Sequence, residues 1–542
     1  METWWKERVV YQIYPRSFQD SNNDGIGDIP GIISRLDEIK ELGVGIIWLS
    51  PVYKSPDADN GYDISDYREI SPKFGTMADM EELLAEAKKR DIKVIMDLVI
   101  NHTSDEHDWF QKSRDKDSPY RDYYIWKQGD PDGNPPNNWT SFFMGSAWEF
   151  DPKSGEYYLH LFHKKQPDLN YRNPKVIEEA KDVMRFWLDK GVAGFRCDVI
   201  NAIYKSSFEN GKRRLAVVGR EHFLSQEGAH KVLQELRRDV LDHYDCFTVG
   251  ESAMVDLDDA KLLCDAERKE LDMLFYFDHL EVDRWYAKFI PKKFKANKLL
   301  NVISKWQQGL EWNANYLENH DQPRIVSHYG DDTKFWERSA KLLATMQLTL
   351  RGTPYIYQGQ EIGMTNFDFR SISQLNDIES LSAEKLMRSF FLPSRLRWKW
   401  IKCSSRDNAR TPMQWNGEPG AGFTKGTPWL GINSNHVKIN HKDQQGKADS
   451  ILSFYKKMIA LRASSDTLKY GEFAPVYSDA NVLAYTRKHE DELYAVILNF
   501  SDKLAGVPID KKLMGKIIVS NIGRTDYDGS MSPWEAVVLK VW

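Results

Sequence analysis

Long apolar runs, clustered cysteines and an excess of positive charge are all missing from this 542-residue chain. No stretch approaches the ~18 consecutive apolar residues of a membrane-spanning helix. The first residues, Met1-Glu2-Thr3-Trp4-Trp5-Lys6, lack the apolar run of a secretion leader and pass directly into strand-like sequence. Only four cysteines are present, Cys197, Cys246, Cys264 and Cys403, at spacings that suit no metal site. Cys197 and Cys246 lie in apolar runs, where a buried free thiol is the expectation. These features together point to a reducing cytoplasm. The formal net charge of −6 speaks against the clustered Lys and Arg surface that nucleic acid requires. Internal repeats and low-complexity tracts are absent as well.

What is present is an ordinary globular composition, 41% hydrophobic and 28% charged, with a generous aromatic share of 18 Trp, 25 Tyr and 25 Phe. Flat aromatic faces stack on sugar rings, although most of these side chains are expected in the core. The length calls for one large domain and one or two smaller ones. Strand-like runs alternate with helical stretches such as Ile33 to Leu42 and Met80 to Lys89. The strands are read at Val9–Tyr14, Gly45–Ser50, Lys93–Val99, Gly194–Cys197, Phe247–Val249, Met273–Phe277, Ala314–Leu317 and Pro354–Tyr357. Eight strands with crossover helices predict a (β/α)₈ TIM barrel over residues 1–103 and 174–464. The stretch 104–173, rich in Asp, Asn, Pro, Gly and aromatics, is read as an insertion domain after the third strand, lid-like over the catalytic rim. After the helix Ser450–Arg462 the pattern turns to short alternating segments, which predicts an antiparallel β-sandwich domain at 465–542.

Three acidic residues each follow a short apolar run: Asp198 after Gly194-Phe195-Arg196-Cys197, Glu251 after Phe247-Thr248-Val249-Gly250, and Asp321 in Glu318-Asn319-His320-Asp321. A strand that ends in a carboxylate delivers it to the C-terminal rim of a barrel, where loops gather and chemistry is done. Taken singly, each is an ordinary rim ion pair. As a set, two carboxylates facing each other across a sugar ring are the minimum equipment for cleaving a glycosidic bond. Arg196, two residues before Asp198, shares its strand face and can hold it ionised.

The ordered segments Asp97-Leu98-Val99-Ile100-Asn101-His102, Gln166-Pro167-Asp168-Leu169-Asn170, Gly194–Asp198, Gly250-Glu251 and Asn319-His320-Asp321 resemble those of retaining glucosidases of the α-amylase superfamily (glycoside hydrolase family 13), in its oligo-1,6-glucosidase and dextran glucosidase branch. The resemblance runs along nearly the whole chain. It implies that Asp198 is the nucleophile, Glu251 the general acid/base and Asp321 the transition-state stabiliser. It also implies that His102 and His320 bond the hydroxyls of the reacting glucose. Tyr62 and Asp63 would then stack on and clamp the terminal sugar, with Arg406 pairing with that clamp. Phe162, Gln166, Arg196 and Val199 complete the implied substrate contacts. In this family Asp20, Asn22, Asp24, the Ile26 carbonyl and Asp28 bind a structural calcium ion. The alternation of oxygen donors in Asp20–Asp28 is that of a calcium loop, although it lacks the closing bidentate Glu of an EF-hand. Catalysis requires no cofactor.

Val199, directly after the nucleophile, is the residue found in relatives that prefer α-1,6 bonds, where maltases and sucrose isomerases carry Thr. The implied activity is exo-acting hydrolysis of isomaltose and short isomalto-oligosaccharides by a monomer with no nucleic-acid or membrane partner. Trehalose-6-phosphate hydrolase and sucrose- or maltose-directed α-glucosidases are the alternatives, since the first also carries Val. A non-catalytic transporter subunit is a further class, but it would be expected to lose one of the three acids. Cys197 replaces the usual Met, Leu, Ile or Val, and the segment Lys385–Ser405 departs from the family pattern. The stretch Tyr204–Gln226 is also unlike it.

Overall fold

A computed structural model describes residues 3–285 and 287–541. Eight strands form one parallel sheet: β1 (Val10–Ile13), β2 (Ile46–Leu49), β3 (Lys93–Leu98), β4 (Gly194–Cys197), β5 (Phe247–Glu251), β6 (Met273–Phe275), β7 (Ala314–Tyr316) and β8 (Thr353–Tyr357). Their order is β6-β5-β4-β3-β2-β1-β8-β7. Each strand neighbours the next in sequence except β6 and β7, which stand at the two ends of the order, and β1 pairs with β8. That cyclic order belongs to the nearly closed sheet of a (β/α)₈ barrel. All eight readings from sequence fall on these strands, within about two residues at each end. The helical reading Ile33 to Leu42 divides into Ile29–Ile33 and Leu36–Leu42, because Arg35 leaves helical geometry at φ −113°, ψ 8°.

The chain partitions into two compact units, residues 1–47, 89–92 and 277–542 in one, and 48–88 and 93–276 in the other. In the second unit β3, β4, β5 and β6 run side by side, with Asp97 opposite Arg196, Val249 opposite Arg196 and Glu251 opposite Phe275. Gly194 opens β4 at φ 141°, where a Cβ would lie 2.0 Å from the Phe247 carbonyl oxygen, so no other residue admits the strand at this spacing. The crossover helix Pro174–Asp189 begins with Asn173 capping Lys175 N and with Pro174 at its first position. It buries Val176, Val183, Met184, Trp187 and Leu188, each contributing roughly 1.5–3 kcal/mol.

Between β3 and β4, a three-stranded antiparallel sheet (Trp126–Lys127, Glu156–Leu159, Trp148–Asp151) packs over a core of Trp139, Trp148, Leu159, Leu161, Val217 and Phe223. Val217 and Phe223 come from the stretch after β4, so that stretch follows the insertion rather than the barrel. The insertion's ends are pinned by a bridge of His102 to Asp168 and by Leu169 N donating to Asn101 O at 2.9 Å.

In the first unit the C-terminal strands β9 (Glu472–Ser478), β10 (Val482–His489), β11 (Glu492–Asn499), β12 (Lys516–Ser520) and β13 (Ala536–Val541) form an antiparallel sheet in the order β9-β10-β11-β13-β12. One face buries Val482, Ile497, Val537 and Leu539 with Val507 and Met531, the latter from a short second pair of strands. The segment Lys385–Ser405 belongs to a helical hairpin, Ile378–Ser389 and Ser394–Ser404. The four cysteines are free, Cys197 and Cys246 buried and Cys403 exposed. No helix among the described residues is long and apolar enough to cross a membrane.

Candidate active site

In the second unit one guanidinium organises the strand ends. Arg196 Nη1 donates to Asp97 Oδ1 at 2.6 Å and to Asp198 Oδ1 at 2.5 Å, while Nη2 meets Glu251 Oε2 at 2.6 Å. Register explains the meeting: Asp97 and Val249 flank Arg196 on adjacent strands, and Asp198 N closes onto Leu98 O at 3.0 Å. All four residues are less than a tenth exposed. Three carboxylates around one cation leave the cluster negative, a setting that favours retention of a proton. Burial pushes Asp97 up to about 6, even though Arg196 and the Trp48 indole N–H, at 2.7 Å, stabilise its ionised form. Val199 lies in the left-handed region at φ 37°, rare for a β-branched residue, and its N–H points to Glu251 Oε2 at 3.4 Å.

Beside this cluster, His102 Nδ1 accepts from Asn101 Nδ2 at 3.2 Å, and Nε2 lies 3.2 Å from the Tyr62 carbonyl and 3.1 Å from Gln166 Nε2. Burial lowers the imidazole to about 4, so the ring is neutral near neutral pH. The Phe162 ring packs at 5.2 Å from it. The Tyr62 ring stands 5.7 Å from the Arg196 guanidinium. Asp63, fully buried, accepts the N–H groups of Ala58 and Asp59 at 2.8 and 2.9 Å, and burial raises it to about 6.

In the first unit, His320 and Asp321 follow β7. Gln12 Nε2 donates to His320 Nδ1 at 2.9 Å, which places the ring proton on Nε2, 3.0 Å from Asp321 Oδ2. Arg406 Nη1 and Arg410 Nη2 reach Asp321 Oδ1 at 3.1 and 2.8 Å, and Arg410 Nε donates to the His320 carbonyl at 2.9 Å. Burial would raise Asp321, but His320, Arg406 and Arg410 hold it well below the usual carboxylate range. Arg406 is itself fixed by Asp377 Oδ1 at 2.7 Å, the N-cap of Ile378–Ser389. Lys288 Nζ joins that helix to the same turn, with Glu379 Oε2 at 2.7 Å and Asp321 O at 3.0 Å. The hairpin that departs from the family pattern is therefore rooted at Asp321.

Asp97, Gln12, Lys288, Asp377 and Arg410 had not been singled out from sequence. Arg410 carried a usable signal: it lies four residues after Arg406, one turn along the short helix Asp407–Arg410. Gln12 and Lys288 carried none, since only tertiary structure brings them to the β7 turn.

The loop Asp20–Asp28 is tied by its own carboxylates. Asp20 accepts N–H groups of Asn22, Asn23 and Gly25 and the Thr424 hydroxyl, Asp24 accepts Ile26 N, and Asp28 caps the helix Ile29–Ile33. Five hard oxygen donors suit calcium chemically. Among the described residues, no three His, Cys, Asp or Glu side chains gather as a metal-holding set.

Comparison places these features in a known group. The model of the alpha amylase catalytic domain matches residues 12–471, and the chain belongs to that family of glycoside hydrolases. Over 99% of both chains it is 49% identical to an oligo-1,6-glucosidase of Parageobacillus thermoglucosidasius. The crystal structure of a trehalose-6-phosphate hydrolase from Bacillus licheniformis superposes with a TM-score of 0.94 at 45% identity, covering 100% of each chain. That of an isomaltulose synthase from Klebsiella sp. LX3 reaches 0.97 at 44% identity, again over 100% of each.

Proposed function

We propose that the chain is a retaining, exo-acting α-glucosidase that hydrolyses α-1,6 bonds at the non-reducing end of isomaltose and short isomalto-oligosaccharides. The supporting observation is the Arg196 guanidinium shared by Asp198 and Glu251. Two carboxylates on one fork suit the ~5 Å separation of a retaining pair. Asp198 attacks the anomeric carbon while Glu251 protonates the departing glycosidic oxygen. Glu251 then removes a proton from water, which displaces Asp198 and releases glucose with its α configuration kept. Arg196 keeps Asp198 ionised. Asp321, whose low pKa keeps it anionic, would stabilise the cationic transition state, and neutral His102 together with His320 would bond sugar hydroxyls. Asp63, Tyr62, Phe162, Gln166 and Arg406 complete the proposed sugar contacts.

Val199 and the 49% identity to an oligo-1,6-glucosidase support the α-1,6 preference. A second reading, hydrolysis of trehalose-6-phosphate, draws on the likeness to the Bacillus licheniformis enzyme. Calcium in the loop Asp20–Asp28 would be structural, holding the loop without entering the chemistry. Four free cysteines suit a reducing compartment such as the cytoplasm. Rates on isomaltose, panose, maltose, sucrose, trehalose and trehalose-6-phosphate, with the product anomer read by NMR, test the proposal. Isomaltose first, with α-glucose released, is expected. Initial β-glucose overturns retention, and a clear preference for any other substrate overturns the linkage.

A further inference from the structure

One buried amide joins the two turns that carry the proposed nucleophile and acid/base. Asn201, 1% exposed, lies three residues after Asp198. Its Nδ2 donates to the Ala253 carbonyl at 2.9 Å and its Oδ1 accepts Ala253 N at 3.0 Å, a two-way clamp two residues beyond Glu251. The same Nδ2 donates to Ser225 Oγ at 3.3 Å, and Ser225 N returns a bond to Asn201 O at 2.8 Å.

Three non-glycine residues in this neighbourhood adopt left-handed geometry: Val199 (φ 37°), Ser225 (φ 49°) and Met254 (φ 50°). Such conformations are disfavoured for L-residues and persist only where the surroundings over-determine them. Ser225 bonds Asn201 itself, Met254 directly follows Ala253, and Val199 lies two residues before Asn201. The strand ends also meet closely, since a Cβ on Gly250 would lie 3.0 Å from Ile200 Cγ2. Without the clamp, the Glu251–Met254 turn could relax away from the β4 turn.

We propose that Asn201 is a positioning residue for the acid–base step. Its amide fixes the turn after β5 against the turn after β4 and so holds the Glu251 carboxyl where it protonates the leaving oxygen. This rests on the role proposed above for Glu251. Asn201 is buried and its amide is taken up by Ala253 and Ser225, so its loss acts through proton delivery rather than sugar binding.

The experiment is a series of aryl α-glucosides with leaving phenols of graded acidity, assayed on wild type, Asn201→Leu, Asn201→Asp and Glu251→Gln, with melting temperatures recorded. Leu keeps the volume and removes every bond, whereas Asp keeps the acceptor for Ala253 N–H. For Asn201→Leu, kcat/KM, which reports the glycosylation step, should fall about a hundredfold on phenyl glucoside and less than about threefold on dinitrophenyl glucoside, because an activated phenol leaves unprotonated. KM for phenyl glucoside should stay within about twofold, and Asn201→Asp should fall between. If Asn201→Leu does not fold, Asn201→Asp carries the comparison. Equal loss across the series, or no loss, overturns the proposal. A flat series for Glu251→Gln removes the Glu251 role and this inference with it, while a steep series there beside a flat one for Asn201 removes the inference alone.

Discussion

Glu361 offers a prediction whose size follows from its surroundings. It lies just after β8 and is 3% exposed. One carboxylate oxygen accepts the Tyr11 hydroxyl at 2.8 Å, and among the described residues the other meets no donor in good hydrogen-bond geometry. Burial raises its pKa from 4.5 to about 7, with its own backbone N–H, the Tyr11 hydroxyl, Arg324 and the Gly359 N–H opposing the rise too weakly to cancel it. The folded protein therefore holds this proton more tightly than the unfolded chain. The stability it contributes is full below pH about 4.5 and is lost as pH rises through about 7. The gap corresponds to about 3 kcal/mol. Glu361→Gln cannot ionise and keeps an acceptor for Tyr11, but its buried amide N–H groups lack a partner, a cost of about 1–3 kcal/mol. The mutant should be no more stable than wild type at pH 5. It should gain on wild type by up to about 3 kcal/mol between pH 5 and 8. Urea unfolding followed by tryptophan fluorescence at four pH values measures this. A mutant-minus-wild-type difference that stays constant across that range refutes the reasoning.

Glu251→Gln should be slowed by about 10²–10⁴ on unactivated substrates; azide should restore turnover of activated aryl glucosides and yield an α-glycosyl azide, and a β product would contradict the assignment. Calcium should raise the melting temperature and chelation lower it, with low-temperature initial rates little changed; identical melting with and without chelator, plus metal analysis showing none bound, counts against the loop. Val199→Thr should shift kcat/KM toward maltose over isomaltose by about ten- to two-hundredfold, and an unchanged ratio defeats the linkage role. Arg410→Lys retains a charge but not the fork that holds both Asp321 Oδ1 and the His320 carbonyl. It should lower kcat by roughly tenfold or more, and wild-type kcat in a folded variant would show that Arg406 alone suffices.

The barrel was legible because parallel strands buried on both faces read as short unbroken apolar runs, as in β2 and β6. The acids at strand ends were legible only as a set: one alone reads as a rim ion pair, whereas three that each follow such a run do not. Less could be read where stability is non-local. The stretch after β4 looked patternless because Val217 and Phe223 face Trp139, some eighty residues earlier, rather than a periodic neighbour. The Ile378–Ser404 hairpin was obscured by its turn, where Phe390 and Phe391 are exposed and Phe391 takes φ 58°. Hydrophobicity there no longer marks the inside. Arg410 was hidden by proximity to Arg406, since sequence alone does not say which of two arginines one helical turn apart reaches Asp321. The structure gives it both.

The shared guanidinium of Arg196 has a consequence for how such a protein can change. Lysine would bring the charge but only a compact ammonium in place of a planar fork, and a neutral residue would leave three buried carboxyl groups with no shared cation. A substitution of Arg196 therefore disturbs Asp97, Asp198 and Glu251 together. Changes that spare it fall around it, at positions such as Val199 and the exposed Met254. A laboratory library that diversifies those positions and keeps Asp97 and Arg196 would leave the three-carboxylate arrangement in place.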